Sequence, residues 1–129
     1  MKALSIRQPY AWAIVQGHKP VENRTWWTTF RGPVLIHAGK TIDEAGCLDV
    51  AAILQITHFT VRQYANLTGG IVGIATIVDC VEKFDSPWFS GPFGFVLKDA
   101  RPLPFLTMCG QLGFFDVDDD LLRRNYGWK

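Results

Sequence analysis

Long apolar runs are missing from this chain: no stretch of its 129 residues approaches the ~20 apolar residues that a membrane-spanning helix requires. The N-terminus also lacks a hydrophobic signal segment followed by a cleavage site, so a cytoplasmic protein with no membrane partner is expected. Cysteine is scarce. Cys47, Cys80 and Cys109 cannot all pair and show no Cys-x-x-Cys spacing, which excludes a disulfide framework and a structural zinc site and leaves buried small hydrophobes as the expectation. His18, His37 and His58 show no ligand spacing either, and no metal or other cofactor is expected. Several catalytic grammars are lacking: there is no Gly-x-Ser-x-Gly elbow, no Gly-rich phosphate loop ending in Gly-Lys-Ser/Thr, and no His-Glu-x-x-His. The net charge is only +1, far from that of a dedicated duplex binder.

What is present is a hydrophobic content of 48%, enough for one core, and no linker, repeat or low-complexity tract interrupts it. Residues 1–129 are therefore read as one domain. The small net charge conceals an asymmetry. Residues 1 to 40 hold Lys2, Arg7, Lys19, Arg24, Arg31 and Lys40 against Glu22 alone, whereas Asp116, Asp118, Asp119 and Asp120 cluster near the C-terminus. Cations interleaved with aromatics suit an anionic ligand that stacks, because phosphates attract Lys and Arg while bases stack on Trp. A small ligand or a short single strand fits the modest charge better than a long duplex.

The pattern of elements is α+β. An opening strand over about residues 2 to 6 precedes a short apolar helix over 9 to 16, with Pro9 in its first turn and Gly17 just past its end. Extended segments follow at 21 to 26 and 33 to 38, expected to be sheet neighbours. Thr41-Ile42-Asp43-Glu44 has the form of a capping box, and Leu48, Ala51, Ala52 and Ile56 continue at helical spacing, which predicts a helix over 43 to 56. Residues 71 to 81 are rich in β-branched side chains and read as a central strand, in which Gly73 marks a bulge or a close backbone approach. Two further strands are expected at 93 to 98 and 112 to 117. The Asp cluster suits the start of a C-terminal helix.

Residues 5 to 26 carry the strongest functional signal. Lys19, Glu22 and Arg24 follow the helix exit, and the two-residue spacing of Glu22 and Arg24 puts both on one face of an extended segment. Gln8, Tyr10, Trp12, Trp26 and Trp27 lie within a few residues. Trp12, in an apolar helix, is read as core, and His37, in an apolar strand, as a histidine satisfied by an internal hydrogen bond. Trp88 stands instead in the turn-rich loop Phe84-Asp85-Ser86-Pro87-Trp88-Phe89-Ser90-Gly91-Pro92, where it closes the end of the fold or covers a base. A Lys beside a Glu tends to keep its proton, which argues against Lys19 as a free-base nucleophile.

The runs Leu4 to Trp12, Gly17 to Trp26 and Arg31 to Ala38 together resemble the ASCH (activating signal cointegrator homology) family. Its G-x-K-x-x-E-x-R signature stands here as Gly17, Lys19, Glu22 and Arg24, and weaker similarity continues through Gly70 to Gly73, Ser86 to Trp88 and Gly94 to Leu97. The resemblance implies a small PUA-like mixed β-barrel flanked by short helices, and a cleft lined by the signature residues that associates with RNA or nucleotides. Some members are reported as amidohydrolases acting on acetylated cytidine, others as ribonucleases or nucleic-acid binders. In the amidohydrolase branch a Thr stands three residues after the signature Lys, where this chain has Glu22, so the role of that Thr does not transfer. Asp79 and Glu82 are nearby candidates for the branch's acidic partner.

The expected site is Gln8, Lys19, Glu22, Arg24, Trp26, Arg31, Ser86 and Trp88, binding single-stranded RNA or a nucleotide or nucleoside. Two classes stay open: a binding module using these groups for recognition, and a hydrolase in which Lys19 and Glu22 are the candidate catalytic pair and Arg24 holds a phosphate or oxyanion.

Overall fold

A computed structural model describes residues 1–129 as a mixed six-stranded sheet with four short helices. The strands are β1 (Lys2–Gln8), β2 (Val21–Arg24), β3 (Gly32–Ile42), β4 (Gly70–Val81), β5 (Phe93–Thr107) and β6 (Phe114–Asp116); the helices are α1 (Tyr10–Val15), α2 (Glu44–Leu54), α3 (His58–Tyr64) and α4 (Asp119–Tyr126). The sheet order is β2-β5-β4-β3-β1-β6, and only the β1–β3 pairing is parallel.

Strand alternation sorts the apolar residues into two layers. Leu4 and Ile6 of β1 and Val34, Ile36 and Ala38 of β3 share a core with Ala11, Ile14 and Val15 of α1. The opposite face carries Ala3, Leu35 and Ile71, which pack with Phe115, Val117 and Leu122 of the C-terminal segment. A third cluster joins Ala13 and Val21 to Cys47, Val50 and Ala51 of α2, Val61 of α3 and Trp88.

The sheet does not close into the expected barrel: β2 and β6 are its edges. It curls, and side chains bridge the gap. Trp26, just past β2, packs edge-on against Phe95 and Phe114 at centroid distances of 5.1 and 5.4 Å, and the Arg24 guanidinium donates to the Ser5 carbonyl of β1 at 2.8 Å. The expectation that β2 and β3 are neighbours also fails. β2 pairs antiparallel with β5, and β3 lies between β4 and β1, because pairing here is set by distant strands and not by order in the chain.

Local signals placed most elements closely. Pro9 is the N-cap of α1, and Gly17 adopts φ +82° immediately beyond its C-cap, as its position predicts. Helix α2 is capped by Asp43, whose side chain accepts from the Gly46 N–H at 2.8 Å, and not by Thr41. Gly73 sits at a register shift of β4, and a Cβ there would lie 2.4 Å from Val15 Cγ1 and 2.5 Å from the Arg101 carbonyl oxygen. Helix α3 has no counterpart in the sequence reading, and β5 runs through Pro102 and Pro104 to Thr107, well past the expected residue 98. Cys47 and Cys80 are buried as expected, but Cys109 is exposed in the loop between β5 and β6.

Candidate functional site

The cleft opens at the seam where the curled sheet fails to close, and has a volume of ≈ 610 Å³. Its wall is built by the turn after α1. Gly17 reverses the chain, and the backbone N–H groups of His18 and Lys19 both donate to the Ala13 carbonyl, at 2.9 and 3.0 Å. This wraps Lys19 back under the helix, where it is only 3% exposed. Strand β2 then presents Glu22 and Arg24 on one face, and an ionic network results in which Lys19 and Glu22 are buried and Arg24 half-buried: Lys19 Nζ lies 3.7 Å from Glu22 Oε1, and Arg24 Nη2 lies 3.0 Å from Glu22 Oε2.

Lys19 also donates to the Val21 carbonyl at 2.5 Å and lies 5.5 Å from the centroid of the Tyr10 ring. Burial lowers its pKa from the ordinary lysine value and outweighs the opposing pull of Glu22. The net shift thus runs opposite to the pull of Glu22 alone, because sequence proximity reveals the partner but not the loss of water. Tyr10 donates to Asp49 Oδ2 at 3.2 Å, and its phenol is pushed up to about 12, first by burial and then by the Asp49 carboxylate.

Among the residues expected at the site, Lys19, Glu22, Arg24, Trp26 and Trp88 line the cleft, whereas Gln8, Arg31 and Ser86 do not. Gln8 is buried and hydrogen-bonded through both amide atoms: its nitrogen donates to the Leu67 carbonyl at 2.9 Å, and its oxygen accepts from the Trp12 N–H at 2.9 Å, tying the start of α1 to a distant loop. Arg31 is held by the Thr28 and Phe30 carbonyls at 3.0 and 2.9 Å and faces Asp79 at 3.7 Å. The Ser86 hydroxyl accepts from the Trp88 N–H at 3.2 Å, so it shapes the Trp88 loop from behind. Trp88 is itself 8% exposed and serves both the third core cluster and the cleft wall. Trp12 packs against Tyr64 outside the cleft, with rings stacked at 6.0 Å.

The acidic side of the cleft comes from Asp43 and Asp49, and neither Asp79 nor Glu82 reaches it. Only the packing of α2 beside α1 brings those two carboxylates there. Asn23 was also missed. Its amide donates to the Trp88 carbonyl at 2.9 Å, and its oxygen accepts from the Ser90 and Gly91 N–H groups at 2.9 and 3.1 Å, which clamps the Trp88 loop onto β2. Its position between Glu22 and Arg24 was the available signal. Ser5, Arg7, Tyr10 and Thr25 complete the polar wall. His37 makes two internal hydrogen bonds, with Ser5 Oγ at 3.0 Å and the Met108 carbonyl at 2.8 Å. No three His, Cys, Asp or Glu side chains are grouped to hold a metal ion, and no helix is long and apolar enough to cross a membrane.

The mixed six-stranded sheet with four short helices is an α+β fold of the PUA-like class. The chain belongs to the ASCH domain family, whose model matches residues 4–88. It is 31% identical over 114 residues to activating signal cointegrator 1 of Homo sapiens, an alignment covering 78% of this chain and 19% of the relative. The mouse protein of the same name is 30% identical over 83 residues, covering 62% of this chain and 14% of the relative. The chain thus spans less than a fifth of the length of these relatives. Among solved structures, the ASCH protein of Zymomonas mobilis superposes with a TM-score of 0.56 at 15% identity, covering 95% of this chain and 91% of that one, and a serine-to-alanine variant of it gives 0.58. At that identity the likeness is one of fold.

Proposed function

We propose that residues 1–129 act as one RNA-binding domain, with a cytoplasmic location as part of the same reading, and that the cleft takes a nucleotide of single-stranded RNA. The observation that carries this reading is the meeting of the Lys19–Glu22–Arg24 network with Trp26 and Trp88 in a cleft of ≈ 610 Å³. That volume falls within the ~300–1,000 Å³ of small-ligand sites. Carboxylate acceptors and cationic donors stand side by side there, as the mixed donor and acceptor edge of a base requires, and the indole groups supply apolar contact. Membership of the ASCH family supports a nucleic-acid-binding role.

A specific observation favours a second reading. Burial lowers the pKa of Lys19, and the Glu22 carboxylate lies 3.7 Å from its Nζ, which makes the two a candidate acid–base pair. In this reading the domain is a hydrolase, either a ribonuclease or an amidohydrolase acting on acylated cytidine.

One experiment addresses both readings: titration of the protein with single-stranded RNA oligomers and a panel of acylated nucleosides, followed by tryptophan fluorescence and product analysis. Saturable, salt-sensitive RNA binding without product is the expected result, and product formation selects the hydrolase. Absence of binding to every oligomer and nucleoside refutes both.

A further inference from the structure

A second cleft of ≈ 650 Å³ adjoins the first and shares Ser5, Arg7 and Arg24 as a common wall. The two differ sharply in charge. The first is balanced, with Arg7, Lys19 and Arg24 opposed by Glu22, Asp43 and Asp49. The second is lined by Arg7, Arg24 and Lys40 and by no Asp or Glu.

Its cations differ in freedom as well. Arg24 is fixed at the seam between the clefts by Glu22 and the Ser5 carbonyl. Arg7 and Lys40 are exposed and take part in none of the ion pairs of the protein. The far wall is the loop between β5 and β6, and the backbone N–H groups of residues 109–113 in it have no acceptor within the protein. The floor is His37, 1% exposed. Its Nε2 lies against the Met108 carbonyl, which only accepts, so Nε2 carries a proton, and Nδ1 is paired with the Ser5 hydroxyl. Both ring nitrogens are thereby used, and the floor is held in place. Gly110 rests close on it: a Cβ there would lie 2.8 Å from His37 Cε1.

We propose that this second cleft is a phosphodiester subsite, holding the backbone phosphate that links the nucleotide in the first cleft to its neighbour. The inference rests on the nucleotide-binding reading of the first cleft and adds to it that the ligand unit is a dinucleotide step rather than a free nucleoside. The neutral, hydrogen-bonding part of the ligand belongs in the charge-balanced cleft, and the anion belongs where cations stand without counter-charges. Because Arg24 lies on the wall common to both, it contacts the ligand at the junction of sugar and phosphate.

The test uses the intact chain and four probes, measured by the indole N–H signals in heteronuclear NMR: the nucleosides, their monophosphates, the matching dinucleoside monophosphates, and the same dinucleotides with an uncharged methylphosphonate linkage. A dinucleoside monophosphate is expected to bind ~10-fold or more tightly than its nucleoside, as a charge-assisted contact implies, and the methylphosphonate to lose that advantage. Lys40→Gln and Lys40→Glu alter an exposed side chain with no partner, so the fold is retained. They are expected to weaken dinucleotide binding in that order and to leave nucleoside binding unchanged. Equal affinity of the charged and methylphosphonate dinucleotides, or an unchanged dinucleotide affinity in Lys40→Glu, overturns the subsite while the first cleft stands. Failure of every probe to perturb the indole signals of Trp26 and Trp88 overturns the first-cleft reading and this inference with it.

Discussion

Replacement of Lys19 separates the roles the cleft assigns to it. Lys19→Met keeps the length of the side chain and removes the ammonium, which leaves the Val21 carbonyl without its 2.5 Å donor and Glu22 with Arg24 as its remaining partner. Leaving a buried acceptor unpaired costs ~1–3 kcal/mol, but burial of the ammonium is itself unfavourable here, and its removal offsets part of that cost. The expected net change in stability is therefore small, within ~1 kcal/mol of the native protein by urea denaturation. Ligand binding has no such compensation. Loss of one charge-assisted contact is expected to weaken RNA binding by ~1–3 kcal/mol, about 5- to 150-fold in Kd.

Lys19→Arg retains charge, but the native ammonium is only 3% exposed, so the wider guanidinium overpacks the pocket and is expected to destabilise the fold by ~1–3 kcal/mol. From charge alone, Arg appears the milder change; burial makes it the harsher one for stability. The pH dependence has a definite sign. Because the folded pKa of Lys19 is lowered below its ordinary value of 10.5, the buried cation reduces stability at pH values below the folded pKa. That cost diminishes as pH rises from the folded pKa toward 10.5, and in Lys19→Met this component of the pH dependence is absent. RNA affinity of Lys19→Met equal to that of the native protein, with the fold intact, refutes the assignment of Lys19 to the binding site.

Three other substitutions test the architecture around the cleft. Asn23→Ala removes the hydrogen bonds to the Trp88 carbonyl and to the Ser90 and Gly91 N–H groups, and at ~1 kcal/mol each it is expected to lose about 2–3 kcal/mol in urea denaturation and to broaden the Trp88 indole signal. Gln8→Leu breaks the bonds to Leu67 and Trp12 and is expected to cost ~1–3 kcal/mol of stability while leaving RNA affinity per folded molecule unchanged; a selective loss of affinity would return Gln8 to the binding site. Gly73→Ala forces a methyl group against Val15 and the Arg101 carbonyl, so a lower Tm from ~1–3 kcal/mol of overpacking is expected by calorimetry, and a non-additive, partial recovery by Val15→Ala in the double variant confirms the Val15 contact while the carbonyl contact remains.

Local chemistry is what the sequence carried. Pro9 and Gly17 bracket α1 because proline tolerates the start of a helix and glycine the left-handed turn beyond it. The β-branched run of β4, the acids before α4 and the shared face of Glu22 and Arg24 follow from rules that act over a few residues. Because Lys19, Glu22 and Arg24 lie within six residues of one another, their meeting in one cleft was legible as well.

Whatever depends on residues far apart in the chain was decided by the tertiary structure. Sheet order placed β2 beside β5 instead of β3, and left a seam that Trp26, Phe114 and Arg24 bridge in place of a closed barrel. Packing of α2 beside α1 delivered Asp43 and Asp49 to the cleft, while hydrogen bonds to the Leu67 carbonyl and the Trp12 N–H hold Gln8 in the interior, away from the cleft. Burial is the clearest case. The sequence supplied Lys19 with a neighbouring carboxylate, which alone raises an amine's pKa, but only the folded chain excludes water from it, and desolvation reverses the sign.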